Sequence, residues 1–162
     1  MKIFLNQDLF ISNMNIGLDS MTLEFLFRII TSLLLGALVG FEREITRKPA
    51  GLRTHAFVSV GACLFTISSF YLAGNANIDS SRIAAGIVTG IGFIGAGSII
   101  ATKGHVKGLT TAASLWVVSA IGLMVGLGEL VLPIISSIII FIMLRFGKVE
   151  REVENGIRKK SK

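Results

Sequence analysis

An all-α integral membrane protein that crosses a bilayer about five times is the architecture this 162-residue sequence predicts, and three observations predict it. Its residues are 52% hydrophobic, with a mean hydropathy of +0.74, beyond the balance of a soluble domain. Only 16% are charged. The charges are also segregated: stretches 56–81, 83–102 and 108–128 hold no Lys or Arg, and their one acid is Asp79. Each gap is the length a helix needs to cross a hydrocarbon core about 30 Å thick.

Residues 1–20 form the first segment, in which Asn6, Gln7 and Asp8 interrupt the apolar run. No cleavage site follows a continuous apolar stretch, so it does not read as a signal peptide, and it is expected outside the cytoplasm. The first span is predicted at 21–41, with Ser20 as cap and Glu24 in the first turn, where the helix dipole favours an anion. Glu42, Arg43 and Glu44 close it, and Pro49 and Gly51 break the chain. The second span runs over 54–73 and ends at Gly74, followed by a polar link, 75–81. The third, 82–101, carries Gly86, Gly90, Gly92, Gly95 and Gly97. A basic loop around Lys103 and Lys107 leads to the fourth span, 110–127, with Thr110 and Thr111 as caps. The fifth covers 131–146, with Pro133 in its first turn, and 147–162 is a basic tail. Cys63, alone in an apolar run, reads as a small buried hydrophobe.

Positive charge orients the bundle. Segments 43–53, 103–107 and 145–162 hold thirteen of the sixteen Lys and Arg, against Lys2, Arg28 and Arg82 on the other side. The positive-inside rule puts those segments in the cytoplasm and the N-terminus outside. The net +6 then reflects membrane topology, and the expected partner is lipid, not nucleic acid.

Two small-xxx-small faces, Gly36 with Gly40 and Gly86 with Gly90, permit close helix approach, either within the chain, pairing spans one and three, or at a homo-oligomer seam. The run Gly90 to Gly97 holds four glycines in eight residues; it is read as close packing or as a broken helix that exposes backbone to a substrate. Ionisable residues at membrane depth are candidate sites because an unpaired buried charge is costly. Glu42, Arg43, Arg53 and His55, with Thr110 and Thr111, are expected to form a cytoplasmic cluster that is the functional candidate. Arg28, Asp79 and Arg82 are the outer candidates, with Glu24 placed to pair with Arg28. The bland alternatives are ion pairs that pin helix ends and arginines that snorkel to the interfaces. No nucleophile, phosphate-loop or Cys/His ligand motif occurs, so an enzyme is not expected and no catalytic residue is assigned.

Four segments, in this order and at these separations, resemble the MgtC/SapB family: Gly40-Phe41-Glu42-Arg43-Glu44, Ala50-Gly51-Leu52-Arg53-Thr54-His55, Gly90 to Gly97, and Gly108 to Trp116. The resemblance covers about 21–146 and implies a multi-pass inner-membrane protein linked to growth in low magnesium, with no cofactor expected other than Mg²⁺ as a candidate ion. Some members carry the label of magnesium transporter; another account has members act on the ATP synthase, which makes that enzyme a candidate partner. With about fifteen residues after the fifth span, a short form without the family's soluble C-terminal domain is expected. Magnesium takes hard oxygen ligands and sheds water reluctantly, yet spans two to four contain no carboxylate within their apolar stretches. A regulatory or interaction role therefore ranks ahead of transport of Mg²⁺ or another small ion, and an anion or lipid-headgroup site at the arginines is the third reading.

The orientation is checked by cysteine labelling of intact cells with an impermeant reagent. A cysteine placed within 75–80 should react and one within 155–162 should be protected; the reverse pattern means an inverted bundle.

Overall fold

The computed structural model describes residues 19–73, 79, 81–102 and 105–160. Residues 1–18, the helix end expected at Gly74, most of the 75–81 link and residues 103–104 of the basic loop lie outside the described residues. The elements are α1 (Ser20–Ile45), α2 (Leu52–Ala73), α3 (Ser81–Gly97), β1 (Ile100–Thr102), β2 (His105–Lys107), α4 (Leu109–Leu127) and α5 (Val131–Lys160). Among them α1 and α4 are long and apolar enough to cross a membrane; α3 and the 131–147 part of α5 are shorter apolar helices.

Several boundaries differ from expectation, each for a local reason. Asp19, not Ser20, caps α1: its Oδ1 accepts the Thr22 amide at 2.8 Å, and the Thr22 hydroxyl and amide hold its carboxyl below the usual range. α1 continues past the charged triplet to Ile45 because Glu42 and Arg43 turn into the bundle. α3 stops at Gly97 instead of 101, and Ile100–Thr102 pairs antiparallel with His105–Lys107 in a hairpin where a helix end and a loop were expected. The glycine-rich run to Gly97 is an uninterrupted helix, so the broken helix is not seen. Neither threonine caps α4: its N-cap is Gly108, in the left-handed region at φ 95° with no side-chain bond. α5 extends as one helix through the tail to Lys160.

α2 is the centre. It packs most extensively against α1 and then α4; α3 leans on α4, and α5 covers α1 and α4. A Cβ on Gly36 would stand 2.7 Å from Ser59 Cβ, and one on Gly40 2.7 Å from Leu52 Cα. From the other side, a Cβ on Gly122 would overlap the Ser59 carbonyl, and one on Gly126 would stand 2.7 Å from Thr66 Cβ. Two small-xxx-small faces therefore grip α2 between them. The expected pairing of spans one and three is wrong: Gly36 and Gly40 meet α2, and Gly86 and Gly90 have no atom within 4 Å of a built Cβ. Gly122 and Gly126 repeat the same spacing on α4.

Burial is inside-out relative to a soluble protein. Ser32, Ser59, Thr66, Ser69, Ser114 and Ser137 are buried, as are Glu42, Arg43 and His55, while Leu34, Phe65, Phe93, Ile139 and Met143 are exposed. In water this arrangement would leave a large apolar surface wet; in lipid it costs nothing. The buried hydroxyls mostly bond to carbonyls of their own helix, as Thr66 does to Ala62 at 2.8 Å and Ser137 to Pro133 at 2.7 Å.

Gly122→Ala should lower the detergent melting temperature by an amount equivalent to about 1–3 kcal/mol of overpacking, whereas Gly86→Ala should leave it unchanged or higher. Equal losses from the two variants would mean that the glycine contacts of α4 do not hold the bundle together.

Candidate functional site

The cluster forms where α1, α2 and α4 meet. Gly40 lets α2 approach so closely that its Cβ would lie 2.9 Å from His55 Cβ. Two and three residues on, Glu42 and Arg43 enter the bundle at 1% and 5% exposure, with Oε2 and Nη1 3.7 Å apart. Arg43 Nη2 donates to Thr111 Oγ1 on α4 at 3.0 Å. Glu44 points back and accepts the Leu52 amide at 2.9 Å through Oε2, capping α2. Phe41 is exposed. The Gly40 to Glu44 segment thus divides its work among close approach, a buried ion pair and a cap.

His55 is fully buried and joins α2 to α4. Its Nδ1 lies 2.9 Å from the Gly51 carbonyl oxygen and its Nε2 3.0 Å from Ser114 Oγ. A carbonyl only accepts, so Nδ1 carries a hydrogen, and Nε2 of the neutral ring accepts from the Ser114 hydroxyl. That hydroxyl also lies 2.9 Å from the Thr111 carbonyl. A doubly protonated ring would donate to Ser114 and turn its hydrogen to that carbonyl. The imidazole's charge state and the Ser114 rotor are therefore linked. Among the described residues Glu42 Oε2 and Ser59 Oγ have no hydrogen bond.

Of the six residues expected to gather here, four do: Glu42, Arg43, His55 and Thr111. Arg53 and Thr110 are exposed and outside the network. Ser114 completes it, and its signal was its place three residues after Thr111 on one helix face. The glycine-rich segment touches the site's periphery only: Gly95 rests on Ala112, and Ile91 packs with Ala50 and Leu115.

The outer candidates separate. Arg28 pairs with Glu24 and donates from Nη1 to the Gly126 carbonyl at 2.7 Å, lying against Gly128 at the C-terminus of α4. It ties α1 to α4 and complements the helix dipole, a structural role. Asp79 and Arg82 are exposed. The Asp79 carboxyl lies below its usual range because the Ser81 hydroxyl and amide bond to it, the amide at 2.9 Å.

The sequence profile of the MgtC family matches residues 29–152, which contain the whole cluster. A protein of Escherichia coli (strain K12) named "Putative magnesium transporter YhiD" is 42% identical over 130 residues, 76% of this chain and 60% of that protein. Protein MgtC of Salmonella typhimurium (strain LT2) is 43% identical over 116 residues, 72% of this chain and 49% of its own length. An uncharacterized protein of Haemophilus influenzae is 34% identical over 142 residues, 83% of this chain and 58% of the relative. The chain thus spans about half to three-fifths of the length of these relatives. No solved structure matches.

Thr111→Val removes the oxygen that receives Arg43 and should cost about 1 kcal/mol, seen as a lower detergent melting temperature, while Thr110→Val should be neutral. A neutral Thr111→Val would show that the bond does not help join α1 to α4.

Proposed function

The chain belongs to the MgtC family, and from that premise we propose that it serves magnesium homeostasis as a multi-pass membrane protein whose working site is the Glu42, Arg43, His55, Thr111 and Ser114 cluster, acting through regulation or interaction and not as a magnesium pathway. In this reading all five helices are spans, with the N-terminus outside and the cluster at the cytoplasmic end. The split of thirteen basic residues against three supports that orientation.

The observation that carries the proposal is the pairing of Glu42 with Arg43. A divalent cation needs oxygen donors and keeps much of its hydration. The buried carboxylate here has a guanidinium 3.7 Å away, which repels a second cation and leaves the pair neutral. Arg43 and His55 each reach a different residue of α4, so the cluster reports how α1, α2 and α4 sit against one another. Such an arrangement suits a site whose output is helix position, read by a membrane partner. The magnesium transporter in the name of the E. coli relative supports the alternative, movement of Mg²⁺ by the chain itself.

Glu42→Gln keeps the side-chain shape and removes the charge. It should abolish support of growth in low magnesium in a strain lacking its own copy, at normal protein level and with a melting temperature within a few degrees of wild type. Liposomes holding only the purified wild-type chain should take up no more Mg²⁺ than empty ones. Full complementation by Glu42→Gln would remove the cluster as the site; Mg²⁺ uptake that Glu42→Gln abolishes would establish transport instead.

A further inference from the structure

Arg53, displaced from the buried cluster, lies at one end of a groove between α2 and α3 with a volume of about 1030 Å³. Arg82 stands at the other end, and Gly61, Gly86 and Gly90 floor the space between, with nothing within 4 Å of a built Cβ on any of them. The absence of side chains at these positions makes the groove. Leucines there would fill it.

We propose that this groove binds an anionic phospholipid, with its phosphate on Arg53 and one acyl chain lying along Gly61, Gly86 and Gly90. Charge complementarity selects the occupant's head: the lining includes two guanidinium groups and no carboxylate. Its tail follows from an otherwise mostly apolar lining. Length agrees as well. From Arg53 to Phe65, the last α2 residue of the groove, twelve residues rise about 18 Å, close to the roughly 15 Å depth of one leaflet. Arg53 rather than Arg82 holds the phosphate because an acid, Asp79, sits beside Arg82, its carbonyl accepting the Arg82 amide at 3.2 Å. At the Arg53 end, Thr54 lines the groove, its hydroxyl a further donor to a phosphate oxygen. Arg82 lies at the start of the next helix, past the far end of α2, and does not reach the same phosphate.

Native mass spectrometry of the full chain, released from micelles with equal amounts of phosphatidylglycerol and phosphatidylcholine, tests this site. Wild type should retain the anionic lipid with about a tenfold preference, the scale of one charge-assisted contact. Arg53→Gln should bring the preference close to parity, and Arg82→Gln should leave it intact. Gly90→Leu should lose both lipids, because it obstructs the acyl chain's path whatever the headgroup. An unchanged preference in Arg53→Gln overturns the proposal, as does wild-type lipid retention by Gly90→Leu. If Gly90→Leu instead splits a dimer without changing bound lipid, the groove holds a second copy of the chain and the lipid assignment fails.

Discussion

The close approach of α2 to two neighbours at once is the constraint on which the rest of the structure depends. Ser59 lies between them: its Cβ faces Gly36 of α1, and its carbonyl oxygen occupies the space a Gly122 side chain would need. In lipid there is no hydrophobic drive between helices, because acyl chains are as apolar as leucine; contact area and short polar bonds must hold the bundle. Glycine supplies the area by letting backbone meet backbone. The same proximity brings His55 within reach of Ser114, and Arg43 within reach of Thr111, across helix pairs that bulkier residues would hold apart.

The cluster at the end of α1 follows from that geometry. Gly36, Val39, Gly40 and Arg43 repeat at three- and four-residue steps and form one buried stripe. Glu42 is buried as well, although consecutive helical residues point about 100° apart. The buried face of α1 therefore widens at this end, where α2 and α4 both border it. A carboxylate and a guanidinium on adjacent residues can only both be interior in such a corner, and their mutual neutralisation limits the cost of taking each out of water.

Helix number and approximate position were legible in the sequence because the spacing between charges sets them. Partner choice was not. Gly36 with Gly40 and Gly86 with Gly90 are the same pattern, and the pattern marks a face without saying what covers it. The cluster was legible as segments expected to face one region, 40–44, 50–55, 90–97 and 108–116; three of them supply it and 90–97 only borders it, and single residues were not legible. Arg53 and His55 are two positions apart, hence about 200° apart on a helix, so burying the imidazole turns the guanidinium outward. Thr110 and Thr111 differ by about 100°, and only the second faces Arg43. The strand pair 100–102 and 105–107 carried no comparable signal, because three-residue strands read equally well as a helix end.

α3 differs in kind from the helices that grip one another. Only Ile91 and Gly95 of its seventeen residues are buried, and both lie toward its C-terminal end, against α4 and the turn before α2. Toward its N-terminus it stands off from α2, so the glycines that α1 and α4 use for contact here leave open space. Glycine in a helix costs about 1 kcal/mol relative to alanine when nothing packs on it. Five within α3, four of them without a close neighbour, make this helix weak on its own account and dependent on what occupies its exposed side. In a bilayer that occupant is lipid or another helix. α3 gives no side chain to the polar cluster, yet through Gly95 on Ala112 it rests on the first turn of α4, beside Thr111.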